Sequence, residues 1–182
     1  MVLGAPLRDL GEVPERAGAV KPSHIARDGS VAMVDVSGKR VTSRSARAQA
    51  VVRMKPSVER ALRAAALPKG DAFVSAQIAG IMAAKQTAAL IPLTHPLPLS
   101  SVEVRFEWSG SGVLHVEAEA RTTARTGVEM EAMVAASIAA LTIYDMSKAL
   151  DKGITIESVR LLEKTGGKSG TFRLRSSRTP SR

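Results

Sequence analysis

The sequence predicts an α+β fold, an antiparallel sheet with two helices packed on one of its faces, and three observations predict it. A period-two strand precedes a helical stretch near residue 50, an alternating hairpin occupies the middle of the chain, and a long apolar helix is followed by a last strand.

Ala46, Ala48, Ala50, Val52 and Met54 alternate with Arg47, Gln49 and Arg53, the pattern of a strand buried on one face. Pro56 ends it, and Ser57 is placed to cap a short helix over 57–66 that Leu67-Pro68 closes. Asp71 can cap a second helix reaching about Leu90, whose small residues Ala76, Ala79, Gly80, Ala83 and Ala84 admit a close neighbour. Pro92, Pro96 and Pro98 then hold a loop extended and stiff around Leu93, Thr94 and His95.

Val102, Val104, Phe106 and Trp108 alternate with charged residues, and after Ser109–Gly112 the alternation resumes through Leu114, Val116, Ala118 and Ala120, a β-hairpin. Its other face, with His115, Glu117, Glu119 and Arg121, is expected to be solvated or in contact with a subunit. A helix over 125–148 and a strand over 154–163 complete the order. Strand, helix, two strands, helix, strand is the β-α-β-β-α-β ferredoxin-like pattern.

Composition narrows the function. The 182 residues are 45% hydrophobic and 24% charged, ordinary for one globular domain. With five aromatics the core must be built from Ala, Val, Ile, Leu and Met, and with no cysteine there is no disulfide, thiolate metal site or cysteine nucleophile. The first residues lack the apolar centre of a signal peptide and the long apolar runs are interrupted by polar residues, so a cytoplasmic location is expected. The net charge of +9 is concentrated in Lys39–Lys55 and Arg173–Arg182; outside them sixteen basic residues face seventeen acidic ones. Such local concentration points to an anionic ligand or a solvated tail.

The glycine-rich segment Gly166-Gly167-Lys168-Ser169-Gly170 is not a Walker A loop, because Leu162 stands where the first glycine is needed, nor a nucleophile elbow, because Thr171 is not glycine. Lys168 is either a cation brought to an anion by a flexible backbone or an exposed loop lysine. His95 is either a structural histidine or a functional one, and spacing does not decide. Asp145 and Lys148, at i and i+3, can form a plain surface pair or a proton-transfer pair at the end of an apolar helix. Glu131 and Asp145 fall within roughly 40° of one helix face but about 21 Å apart along it. One small ligand cannot touch both from one helix, so an active site assembled across a dimer interface is expected.

Several motifs in order carry a family resemblance: Met33-Val34-Asp35-Val36-Ser37, Lys69-Gly70-Asp71, Ile78-Ala79-Gly80-Ile81, Leu90 to Leu97, Thr126 to Ala132, Ala139 to Met146, and Lys164 to Gly170. Over residues 24 to 172 the chain resembles cyclic pyranopterin monophosphate synthase, the molybdenum cofactor biosynthesis protein C family. The resemblance implies a lyase that converts (8S)-3',8-cyclo-7,8-dihydroguanosine 5'-triphosphate to cyclic pyranopterin monophosphate and releases pyrophosphate. It implies Asp145, Lys69 and Lys148 as catalytic residues. It also implies substrate contacts from Leu93, Thr94, His95, Glu129, Met130, Glu131 and Lys168, and from Asp35, Lys39 and Arg44 in a mobile segment that covers the substrate. A homohexamer built as a trimer of dimers follows, with sites at the dimer interface.

No cofactor is required on this reading, no metal site is held by the protein, and a Mg²⁺ ion can accompany the triphosphate. No nucleic-acid partner and no membrane are expected. The competing reading is an RNA-binding module on the same fold, which would need a platform of sheet aromatics that Phe106 and Trp108, on the buried side of the alternation, do not provide. Thr94 stands where the family usually has cysteine and Thr171 where it usually has aspartate. The expected organisation is a flexible lead-in over 1–30, one catalytic domain over 31–172, and a basic disordered tail over 173–182.

Overall fold

The structure, a computed structural model, describes residues 31–175. The expected lead-in over 1–30 and residues 176–182 of the expected tail lie outside the described residues. From Asp35 on, the described residues form one compact unit, and the sheet, the helices and the candidate site all belong to it.

Strand β1 (Thr42–Arg53) leads into helix α1 (Pro56–Arg63), then α2 (Ala72–Lys85) and the single turn α3 (Thr87–Leu90). The hairpin is β2 (Leu99–Trp108) and β3 (Val113–Ala124), followed by the long helix α4 (Glu129–Ser147), β4 (Thr155–Thr165) and the two-residue β5 (Phe172–Arg173). The sheet order is β2-β3-β1-β4-β5, antiparallel at every pairing. This is the predicted ferredoxin-like arrangement, with one short strand added at an edge.

The alternation in β1 does what it predicts. Ala46, Ala48, Ala50 and Val52 are buried, and so are Leu114, Val116, Ala118 and Ala120 of β3, which stand opposite them against the helices. Small side chains on the sheet let α4 lie close to it, and small side chains on α2 let that helix lie close to α4. Gly80 marks the tightest point. A Cβ there would come within 2.9 Å of the Ala135 carbonyl oxygen, 3.0 Å of Val104 and 3.2 Å of Ala139. Gly80→Ala is therefore expected to destabilise the fold by about 1–3 kcal/mol through overpacking. A denaturation midpoint equal to that of the parent would show that the two helices can part without penalty.

Four boundaries differ from expectation. Ser57 is not the cap of α1; Lys55 is, without a side-chain bond, because Pro56 takes the first helical position, where its missing N–H is no loss. Asp71 does cap α2, accepting from the N–H groups of Phe73 and Val74, but the helix stops at Lys85 and α3 is separate. The long helix starts at Glu129 and not at 125, which leaves 125–128 as a connection from β3. Arg173, placed in the tail by sequence, belongs to β5, where its Nε donates to Glu163 at 2.9 Å and Leu174 N–H donates to the Leu162 carbonyl.

The uncovered face of the sheet is laced with charge. Arg47 reaches Glu117 at 3.1 Å and Glu163 at 3.5 Å, Arg121 reaches Glu119 at 2.7 Å, and Arg160 donates to Gln49 at 2.8 Å. Half-exposed pairs of this kind contribute little each. Phe106 packs on Phe73 with ring centroids 4.9 Å apart, and the Arg63 guanidinium lies 4.7 Å from the centre of Trp108. The aromatics of β2 are thus engaged by the helices and leave no base-stacking platform on the open face. Among the described residues no helix is long and apolar enough to cross a membrane.

Candidate active site

The residues singled out from sequence fall into two groups at opposite ends of α4. At its C-terminal end Lys69, carried by the turn just before the Asp71 cap, donates from Nζ to Asp145 Oδ2 at 2.9 Å and to the Asp145 carbonyl at 3.2 Å. Lys148, the residue that closes the helix, stands 2.6 Å from Asp145 Oδ1. A carboxylate in the last turn opposes the helix dipole. Two ammonium groups compensate for it.

The bonds from Lys148 and then Lys69 hold the Asp145 carboxyl down at about 2, from an ordinary 3.8, and Asp145 in turn raises Lys148. At neutral pH Asp145 is therefore a poor base, and Lys148 is held as a cation that donates hydrogen bonds. Because the folded value lies below the ordinary one, the cluster's contribution to stability is complete above pH 3.8 and is lost as the pH falls through about 2. In a carbon-detected NMR titration the Asp145 midpoint is expected near 2, returning toward 3.8 in the Lys69→Met/Lys148→Met double variant. A midpoint that the double variant leaves in place would refute the pairing.

At the N-terminal end the surroundings differ. Glu131 is buried at 4% exposure whereas the Asp145 side chain is 52% exposed. Burial pushes the Glu131 carboxyl up, its own backbone N–H opposes the shift, and the Glu129 charge adds to it. Ionising Glu131 thus works against folding, increasingly so as the pH rises through its raised value. Glu129 lies 3.9 Å from Lys164, and Met130 is half-buried.

Glu129 also lines a cleft of about 510 Å³ whose other walls are Lys39, Arg44, Arg125, Thr126, Gly127, Lys164, Lys168 and Ser169. Five cations against one carboxylate make it an anion site in character. A second hollow of about 410 Å³, between Lys39, Arg40, Thr42, Arg44, Gly167 and Lys168, shares three of those cations. Arg44 is a residue of β1, opposite Thr122, and not of the mobile segment the family resemblance implied.

Next to the cleft lies an apolar recess of about 540 Å³ lined by Val36, Val41, His95, Leu97, Arg125 and Thr126 among others. His95 is held there by its loop, where Thr94 Oγ1 donates to the Ile91 carbonyl at 2.9 Å and Thr122 Oγ1 fastens the Pro98 carbonyl at 2.7 Å. Leu93 and Thr94 are half-buried in the same loop. Asp35 accepts from the Ser37 N–H at 2.8 Å and from its hydroxyl at 3.1 Å, and these bonds, with smaller effects of His95 and Lys39, lower its carboxyl.

Arg125, Lys164 and Arg40 are cations of the cleft or hollow that sequence reasoning did not single out. Arg125 was hidden by counting it into the helix. Lys164 fell within the motif Lys164 to Gly170 without a role of its own, though it stands four positions before Lys168 at the mouth of the same glycine turn. Among the described residues no three of His, Asp and Glu converge closely enough to hold a metal ion. A family model described as the MoaC family matches residues 33–167, which is more than half of the chain and takes in the Lys69–Asp145–Lys148 cluster and the cleft residues up to Lys164.

Proposed function

The chain belongs to the MoaC family, the cyclic pyranopterin monophosphate synthase family, whose role lies in molybdenum cofactor biosynthesis, and we propose that its reaction is the conversion of (8S)-3',8-cyclo-7,8-dihydroguanosine 5'-triphosphate to cyclic pyranopterin monophosphate and pyrophosphate. The observation that carries this reading is the Lys69–Asp145–Lys148 cluster, two ammonium groups on one carboxylate joined across 76 positions of sequence. The cluster offers proton donors beside a fixed negative charge.

In the phosphate step a hydroxyl of the sugar-derived part attacks the α-phosphorus, giving up its proton to a neighbouring base or to water, and the bond from that phosphorus to the bridging oxygen breaks. The electron pair leaves with pyrophosphate. Charge builds on the leaving oxygens, and cations held in place stabilise it. Lys39, Arg125 and Lys168 in the cleft are suited to that work, and His95 in the neighbouring recess can hydrogen-bond the rest of the substrate. A Mg²⁺ ion, where one takes part, travels with the triphosphate.

The cluster and the cleft are too far apart in one chain, since Glu131 and Asp145 are about 21 Å apart along the helix. A second copy running antiparallel would bring its cluster to the first copy's cleft. Supporting an oligomer, Val74, Ile78 and Met82 form an exposed apolar stripe at helical spacing on α2, and Leu141 of α4 is exposed too. We take the assembly to be a hexamer made of three such dimers.

The test is direct. Purified protein given the cyclised dihydro-GTP is expected to release pyrophosphate, monitored by a coupled phosphate assay. Release no faster than from a Lys69→Ala variant would overturn the proposed reaction.

A further inference from the structure

Among the cations of the cleft, Arg44 spends its donors on the protein. Its Nε donates to the Ala124 carbonyl at 3.1 Å and its Nη2 to the Arg125 carbonyl at 3.1 Å, so the guanidinium spans from β1 to the connection that leads into α4. On its other side it lies against the glycine turn. A Cβ at Gly167 would collide with Nη1 and come within 2.9 Å of Cζ, and one at Gly166 would collide with the Ser43 carbonyl oxygen. Both glycines hold left-handed backbone, at φ +87° and +73°. Lys39 and Lys168 contrast with this, for among the described residues neither is in an ion pair, and both line the cleft and the hollow together with Arg44.

We propose that Arg44 is a positioning residue and not a phosphate ligand: it fixes the span between the end of β3 at Ala124-Arg125 and the Gly166-Gly167 turn, and so keeps Lys39, Arg125 and Lys168 around one condensed phosphate. The identity of that anion rests on the reaction proposed above. The tie itself rests only on the geometry. A planar guanidinium can bridge two carbonyls and lie flat against a glycine backbone at once, which an ammonium on a flexible stem cannot do. Gly167 then leaves room for the guanidinium, while Gly166 leaves room for the Ser43 carbonyl, and both carry the left-handed backbone of the turn.

Lysine at position 44 separates the alternatives, because it keeps the charge and removes the tie. Titrating the full chain with inorganic pyrophosphate by calorimetry, we expect Arg44→Lys and Arg44→Ala to weaken binding alike, by roughly tenfold, as misplacement of several cations would. Gly167→Ala should weaken it in the parent, through the Arg44 contact and through the strain of a side chain at φ +73°, and weaken it clearly less in the Arg44→Ala background, where only the strain remains. With the substrate, Arg44→Lys should raise KM about tenfold and change kcat far less, the mark of lost ground-state placement.

Pyrophosphate binding by Arg44→Lys within twofold of the parent, with loss only in Arg44→Ala, would make Arg44 a direct charge contact and overturn the proposal. Additive losses from Arg44→Ala and Gly167→Ala would overturn it too, as would a parent that does not bind pyrophosphate. Should Arg44 variants fail to fold, as judged by circular dichroism, Gly167→Ala alone decides, and unaltered binding by it counts against the tie. A parent that turns over substrate while Arg44→Lys keeps the parent KM sinks this inference and leaves the reaction standing. A parent with no turnover that binds pyrophosphate through the predicted tie does the reverse.

Discussion

Replacing Asp145 by asparagine is expected to reduce pyrophosphate release by about 10²–10⁴-fold, the range over which a positioned acid–base group contributes. The substitution keeps the shape and one acceptor for Lys69 but removes the charge that holds both ammonium groups. Lys148 loses the partner that raises it, and two cations are left facing each other across a neutral amide. Because the Asp145 side chain is half exposed and sits at the end of α4, the fold has no comparable stake in it. A loss of turnover of that size with only a small drop in the unfolding midpoint is the expected pair of results. A variant that keeps more than a tenth of the parent rate would remove Asp145 from the chemistry.

The second large effect is a recovery. Asp145→Asn disables the cluster and Lys168→Ala the cleft, so each homodimer should be nearly inactive. In a mixed dimer one site takes both intact halves and the other takes both damaged ones. Random exchange makes half the dimers mixed, with one good site of two, so activity should return to about a quarter of the parent value on the twofold geometry. Co-expression with two affinity tags and tandem purification isolates the mixed species. If it is as inactive as its parents, each site is contained in one chain and the separation along α4 has been misread.

Much of this fold is legible in the chain, and the reasons are local. The alternation through Ala46, Ala48, Ala50 and Val52 needs only a sheet with one covered face, and Asp71 needs only the free N–H groups of the turn after it. Where reading failed, the deciding partner was distant or the unit too short. Two residues of β5 show no period, and their place depends on β4. The start of α4 at Glu129 is hidden because its N-cap is Val128, which makes no side-chain bond, so no capping residue marks the boundary.

For the site, spacing alone could pair Asp145 with Lys148, four residues apart counted inclusively, but not with Lys69. That contact depends on the turn between α1 and α2 landing at the far end of α4. The motif resemblance singled out Lys69, which no periodicity could. It also drew Arg44 into a mobile segment, because a motif records which residue recurs and not whether its donors are already engaged by backbone carbonyls.

The stacking of Arg63 on Trp108 has an optical consequence. Trp108 is the chain's sole tryptophan, and it stands at the end of β2 that pairs with Leu114, eight residues along β3 from Thr122 beside Arg44, roughly 26 Å away at strand spacing. Its emission therefore reports the docking of α1 on the hairpin and is blind to an anion in the same chain's cleft. Intrinsic fluorescence can follow unfolding of every variant named above without interference from the ligand. Any change in that emission on adding pyrophosphate to the folded protein would have to arrive from a neighbouring copy.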